Sequence, residues 1–459
     1  MIGLHKRGFW MTIAVLASCA AVAGAQASTH GTGLRVQPPA APLPHTARHS
    51  VLQQPSSAPG DQALAGSEVT VRQLVRIALA RNPAIKSAAE RFQAERARVP
   101  QARSLPDPTI SGGWMGHIVP FAVEHNFPPS FRGLTVKENF PFPGKLKLRG
   151  EVADRQAEAS GWEAEQTRRQ VVSEIKTAYY NYFYFIKAIA ITKNNKSLLE
   201  KLESIAEARY RVGKGIQQDV LRAQIEVSRI DQKLIILEQQ EKTAKARINT
   251  LLYRDPESPL PPPAPVTPAK FTASLRELYA LARANDAGLQ RSRRMVESGR
   301  DAVDLAQKAY KPNFSVSYSY QQRPDLQDSN GFMVGINIPI FFRSKQREGV
   351  IEASHNLIGA ERSLDARETT VDFKIKQEYL AATASRKLMN LYSKAIVPQS
   401  SLALESAMSA YEVGKVDFVS MLDNFIYVLN YEVNYYQEVS NFEIALARLE
   451  PLVNRNLTD

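Results

Sequence analysis

The chain has 459 residues, 23% of them charged, with a formal net charge of +12 and a single cysteine. It is longer than the roughly 150 residues of one typical domain. No stretch beyond its N-terminus offers the ~20 apolar residues of a membrane-spanning helix, which excludes a polytopic inner-membrane protein. Lys and Arg are interspersed with Glu and Asp along segments such as Lys145–Arg169 and form no concentrated basic tract. The positive charge therefore describes solvated helical faces and gives no reason to invoke nucleic acid.

In chain order, Lys6 and Arg7 precede the apolar run Phe9–Val22, the pattern of an export signal. Ala23-Gly24-Ala25 and Ala25-Gln26-Ala27 both suit ordinary cleavage, which predicts a signal peptide over 1–27. Leu16-Ala17-Ser18-Cys19 resembles a lipobox, which instead predicts removal of 1–18 and acylation of Cys19. Either route carries the chain out of the cytoplasm, and one cysteine leaves no structural disulfide. Residues 28–66, rich in Pro, Ala, Ser and Gln, read as an extended arm that cannot order itself by burial.

A helical pattern runs from Val69 to about Arg103 and is stopped by Pro106 and Pro108. The period then changes to two. Strands are predicted at about 108–117 and 133–142, and again at about 312–321 and 331–341. Leu134, Val136 and Phe140 alternate with Thr135, Lys137 and Asn139, and Phe314, Val316, Tyr318 and Tyr320 alternate with serines. Segments of about nine residues with one apolar and one polar face suit membrane strands, apolar towards lipid and polar towards a lumen. Glu138 breaks the parity of the second strand. Four strands cannot close a barrel alone and would leave two free edges, so a barrel must be shared between subunits.

Between the strand pairs, Lys145 to about Tyr210 contains no proline, which predicts a helix of roughly 95–100 Å. Val172, Ile175, Tyr179, Tyr182, Ile186 and Ile189 recur along it at coiled-coil spacing. A second long helix is expected from about Arg343 to Tyr411, kinked near Pro398. Two shorter helices, about 217–253 and 275–311, flank a Pro-rich break at 255–268 and are each about half as long. Stacked end to end, they would run beside one long helix.

The chain also repeats itself. Tyr210-Arg211-Val212-Gly213-Lys214 recurs as Tyr411-Glu412-Val413-Gly414-Lys415, and the same offset pairs Leu221 with Leu422 and Ile225 with Ile426. Gly133, Val136, Asn139 and Pro141 recur as Gly331, Val334, Asn337 and Pro339. This predicts a first repeat over 67–268 and a second over 269–459, each reading helix, strand, strand, long helix, Gly turn, helix. A glycine ending a long helix suits a left-handed cap, after which the next helix returns antiparallel.

On these residues, together with Leu105-Pro106-Asp107-Pro108 and Pro141-Phe142-Pro143-Gly144-Lys145, the chain resembles the TolC-like outer-membrane efflux proteins. Pro143 to Leu146 is similar to the heavy-metal branch of that family. The resemblance implies a mainly α, α+β fold in which long helices form a periplasmic tunnel. A homotrimer would close a twelve-stranded barrel in the outer membrane of a Gram-negative bacterium, in contact with outer-membrane lipid. It implies that Val212, Gly213, Lys214, Val413, Gly414 and Lys415 meet a periplasmic adaptor, and that an inner-membrane pump such as an RND-type transporter completes the conduit. It also implies gating by Asp219 and Tyr411, whose hydroxyl could donate to the carboxylate. Asp423 would form an acidic constriction, with Ser420 at the other acidic position of the family. Val416 stands where the family's latch carries an arginine, so the latch must differ.

No phosphate-cradling loop, zinc-protease motif, nucleophile elbow or paired-Cys site occurs, so neither an enzyme nor a cofactor is expected. His117 and His125, without Cys or clustered carboxylates, read as loop residues. The competing reading is a soluble periplasmic coiled-coil scaffold, which explains the helices and the repeat but not the four strands.

Overall fold

The computed structural model describes residues 66–458, apart from 117–121, 124–128 and 325. The segment read as a signal peptide, Cys19, nearly all of the segment read as an arm, His117 and His125 lie outside the described residues.

The elements are α1 (Val71–Arg81), α2 (Pro83–Arg103), β1 (Thr109–Met115), β2 (Phe131–Phe140), α3 (Lys145–Arg211) and α4 (Gln217–Leu251). The second half supplies α5 (Leu275–Asn285), α6 (Ala287–Lys308), β3 (Asn313–Gln322), β4 (Ser329–Asn337), α7 (Gln346–Leu391), α8 (Val397–Glu412) and α9 (Phe418–Val453). The same order of elements thus occurs twice. The 67 residues of α3 span about 100 Å at ~1.5 Å per residue. α4 and α6, which fall in the two shorter helical segments expected at 217–253 and 275–311, both pack along α3, as does α2.

The structure corrects the expected extents of three helices. The helix expected from Val69 to Arg103 is two helices, because Asn82 leaves helical geometry (φ −59°, ψ 121°) and Pro83 opens α2. Asn82 Oδ1 accepts from Ala84 N–H at 2.9 Å, while its amide donates to the terminal carbonyl of α4 at Leu251 (2.9 Å). The helix expected over 275–311 breaks in the same way at Asp286 (φ −62°, ψ 121°), whose carboxylate accepts from Leu289 N–H at 2.8 Å. Near-identical dihedrals at these two buried caps extend the duplication to a feature that sequence matching did not reach. The second long helix also differs: α7 passes into one wider π turn over Tyr392–Ile396, where Val397 N–H reaches the Tyr392 carbonyl, before α8 begins. Pro398 cannot donate to the carbonyl one turn back, and widening the ladder ahead of it accommodates the missing bond.

The sheet is antiparallel in the order β1-β2-β3-β4. Its register puts Ile110, Val136, Tyr318 and Phe332 on one rung, and Phe140, Phe314 and Ile336 on another. The opposite face carries Ser111, Thr135, Ser319 and Gly331, then Asn139, Ser315 and Gly335. The apolar face is uncovered in the protomer, with Phe332 at 70% exposure. Glu138 sits on that face beside Val316, two residues from the helical end. β4 stops at Asn337, short of the expected 341, because Pro339 cannot donate to a ladder. Among the described residues β1 and β4 are the outer strands, with no further strand laddered to either.

Helix burial is wider than the predicted single seam. Tyr179 and Tyr182 turn towards the Pro-rich segment, and the Tyr179 hydroxyl donates to the Val69 and Ala264 carbonyls (3.2 and 3.3 Å). That segment is a strap, bridged to Val69 at Pro263. Phe183 faces the other way, into the cluster with Phe271, Ile375 and Phe442. At the α9 end the buried Lys176 ammonium lies 2.8 Å from Glu450, which also accepts from the Leu457 and Thr458 N–H groups at 2.8 and 3.1 Å.

Glu443 lies nearby, accepting from Ala269 N–H at 2.7 Å. Burial, offset in part by its hydrogen bonds, pushes its carboxyl up to about 7. A carboxyl raised in the folded state binds a proton there that the unfolded chain has already released. Its contribution is therefore fully present below about pH 4.5 and is lost as pH rises to about 7. Glu443→Gln removes this dependence. The variant is expected to melt higher than the wild type at pH 8, by up to about 3 kcal/mol of stability, with little advantage at pH 5. Thermal midpoints across that range check it, and a constant gap between the two proteins contradicts it.

Candidate functional site at the paired helix tips

The two Tyr-x-Val-Gly-Lys segments form equivalent turns. Gly213 (φ 73°) and Gly414 (φ 76°) are both left-handed. Lys214 N–H donates to the Arg209 carbonyl (2.8 Å) and Gly213 N–H to Tyr210 (3.0 Å); Lys415 to Ala410 (2.9 Å) and Gly414 to Tyr411 (3.0 Å) repeat the pattern. This is a Schellman cap, which satisfies the last carbonyls of the helix and reverses the chain within a few residues. Val212 and Val413, at 67% and 68% exposure, stand out at the ends. Lys214 and Lys415 are exposed beside them. Two exposed valines flanked by cations thus stand at the ends of the paired turns.

The returning helices start differently. Asp417 caps α9, its carboxylate accepting from Ser420 N–H at 3.1 Å; the Ser420 hydroxyl first, and this N–H with it, hold that carboxyl below the usual range. The matching position ahead of α4 is Ile216, which has no side-chain cap. Between the hairpins lies a core of Leu202, Ala206, Ala223, Phe418, Met421, Leu422 and Phe425.

The predicted gating residues come together across this core, but through a third group. Tyr411 is buried, its ring edge-on to Phe418 with centroids 5.7 Å apart. Above the ring lies the Arg209 guanidinium, 4.5 Å from its centroid, and Arg209 Nη1 donates to the Tyr411 carbonyl at 2.7 Å. Asp219 is half-buried within electrostatic reach of Tyr411, Arg209, Arg222 and Asp417. Burial raises the Asp219 carboxyl, Asp417 adds to that, and the two arginines oppose it. Burial likewise raises the Tyr411 hydroxyl. Among the described residues the direct tie between the two tip regions at Tyr411 is Arg209, with no Tyr411–Asp219 hydrogen bond inside one protomer.

Arg209 was not picked out from the sequence, yet a signal existed. Position 410, its counterpart in the second repeat, is Ala. This residue, one of several that differ between the repeats at the tips, spans the gap between the duplicates. Asp423, one turn into α9, is exposed on the side away from buried Met421, Leu422 and Phe425. Among the described residues no group of three His, Cys, Asp or Glu could hold a metal ion. No described helix is long and apolar enough to cross a membrane.

A family model described as outer membrane efflux protein matches residues 74–252 and 278–455. No individually curated protein matches the sequence. Among solved structures, the outer-membrane channel OprN has a TM-score of 0.73 at 19% identity, covering 85% of this chain and 91% of its own. The outer membrane protein VceC of Vibrio cholerae has a TM-score of 0.72 at 17% identity, covering 84% and 96%. The open state of the Neisseria gonorrhoeae MtrE outer membrane channel gives 0.71 at 17% identity, covering 84% and 89%. At these identities the likeness is one of fold.

Proposed function

We propose, on the premise that this chain belongs to the outer membrane efflux protein family, that three copies join their sheets into one twelve-stranded barrel and export small solutes through a helical tunnel gated at the paired tips. The chain is a Gram-negative outer-membrane efflux channel subunit with a large periplasmic part, and the family reading displaces the soluble scaffold. The observation that carries the trimer is the sheet itself: an uncovered apolar face, a small polar face, and two unpaired edges on β1 and β4. Lipid would cover the first, a lumen would run along the second, and neighbouring copies would pair the edges.

The exposed valine-and-lysine tips suit a periplasmic adaptor, which links the channel to an inner-membrane pump. The repeats over 67–268 and 269–459 would each present one tip. Arg209 over Tyr411 supplies the tie that an arginine at position 416 would otherwise give, with Asp219 as the acidic member of the latch. Asp423 carboxylates brought together by threefold symmetry would form a cation-attracting constriction. Such a constriction suits a cation as cargo, in keeping with the heavy-metal branch that Pro143 to Leu146 resembles.

Asp423→Ala tests the constriction. In planar bilayers the wild-type pore is expected to be blocked by multivalent cations added on the tip side, and the variant to need about tenfold more for the same block. Equal block in the two would remove Asp423 from the pore.

A further inference from the structure

A cleft of about 680 Å³ lies where the helices meet the sheet, lined by Lys145, Arg149, Lys311 and Lys345 and by no acidic residue. Its remaining wall is uncharged, with Ala306, Ile340 and Phe341 among the apolar members. Lys145 is buried, and its ammonium donates to the Lys311 carbonyl at 2.7 Å and to Asn313 Oδ1 at 2.8 Å. Burial and the neighbouring Arg149 both push that ammonium below the ordinary lysine range. A buried cation beside further cations is costly unless an anion completes the set. Among the described residues, neither Arg149, Lys311 nor Lys345 forms a side-chain ion pair. Along the helices Glu151 is engaged with Lys147 and Asp301 with Arg155, while Glu348, in the first turn of α7, is exposed and lies outside the lining of the cleft.

Two helices also begin at this cleft. α3 follows Gly144 and α7 follows Lys345, and neither start has a side-chain cap. The carbonyls of Phe142 and Phe342 take up the Lys145 and Arg347 N–H groups, and the positive end of each helix adds partial charge to that of the four side chains. The cleft also has a side. Asn313 and Asn337 share a rung on the small polar face of the sheet, opposite the apolar face. Because Lys145 bonds Asn313, its ammonium lies on that same face. Lys137 is exposed on the polar face as well, two residues before Asn139 on β2.

We infer that this cleft is an anion site on the lumen wall where tunnel passes into barrel, and that it takes small multivalent oxyanions of the phosphate class. The inference rests on the channel reading above. Repeated in each protomer, the clefts would form a cationic girdle at the far end of the tunnel from Asp423. Rings of Lys and Arg of this kind favour anions and phosphates in pores. The channel would thus present opposite charge at its two ends, so that neither cations nor anions cross it without a site.

Single-channel recording tests the site with inorganic pyrophosphate as the probe, added on the barrel side in about 0.1 M KCl, where distant charges are screened beyond roughly 10 Å. Bilayers of phosphatidylcholine alone keep anionic headgroups out of the comparison. The wild-type pore is expected to show concentration-dependent block. The double variant Arg149→Gln, Lys345→Gln, which removes no hydrogen bond or ion pair of the described residues, should need at least about tenfold more pyrophosphate. An open wild-type pore that pyrophosphate leaves unblocked, or equal block in the double variant, overturns the site while leaving the channel standing. If the block seen in phosphatidylcholine is lost in bilayers containing phosphatidylglycerol, lipid headgroups occupy the cleft and the lumen assignment is wrong. Failure to form any pore would instead count against the channel reading.

Discussion

Replacing Gly213 or Gly414 with valine is expected to abolish export while leaving the trimer assembled. Both glycines hold positive φ at an exposed cap, and a β-branched residue forced into that geometry costs at least roughly 1–2 kcal/mol. The strain falls on a two-residue turn far along α3 from the sheet, so the chain relaxes locally by unwinding the cap. Space is not the obstacle: a side-chain carbon at Gly213 would meet no atom within 4 Å. What is lost is the fixed projection of Val212 and Lys214, or of Val413 and Lys415, towards the proposed adaptor. Cells carrying either variant should become as sensitive to the exported compounds as cells lacking the protein, with normal amounts of unheated trimer on gels. Unchanged export would remove the tips as the adaptor surface, and missing trimer would mean that the turns serve assembly instead.

The second large effect is expected at Arg209. Its cation–π contact and its charge-assisted bond to the Tyr411 carbonyl are together worth about 1–3 kcal/mol in each protomer. A gate closed by three such ties loses several kcal/mol when all are cut, and roughly 3 kcal/mol already shifts a closed-to-open ratio more than a hundredfold. Arg209→Ala should therefore convert a rarely open channel into one of high steady conductance. Tyr411→Phe separates the two ways of holding the latch. It keeps the ring under Arg209 and the main-chain acceptor, so it should conduct like the wild type if the tie inside the protomer dominates. A Tyr411→Phe pore as open as Arg209→Ala would show instead that the hydroxyl, bonded to a carboxylate of another copy, holds the gate.

These two predictions differ in how far the sequence alone could carry them. The glycine turns were readable because a left-handed cap demands a particular residue, and the duplication displayed that demand twice. The strands were readable because Phe314 to Tyr320 and Phe332 to Ile336 alternate, with Met333 alone apolar on the polar face, and the register preserves that alternation rung by rung. The breaks at Asn82 and Asp286 were not, since each is one non-helical residue between two helices of unbroken apolar spacing. Pro83 was the visible hint at the first break, and no proline marks the second. The end of β4 was overrun because Ile338 and Ile340 continue the alternation past Pro339, where the ladder cannot follow. Arg209 was invisible for a different reason. It acts across 202 positions of chain, on a main-chain carbonyl and a ring, and neither partner has a sequence signature. The Lys145 cluster was hidden likewise, because its members are scattered over some 200 residues and gather only where both strand pairs meet their helices.

The central claim is that the two free sheet edges are closed by other copies of the same chain to make a pore. Native mass measurement of the purified full-length protein in detergent, followed by insertion of the same sample into planar bilayers, tests it most directly. The account predicts a mass of three chains and discrete conductance steps that increase when Arg209 is replaced by alanine. A monomer, or a trimer that leaves the bilayer silent both with Arg209 and without it, would contradict it.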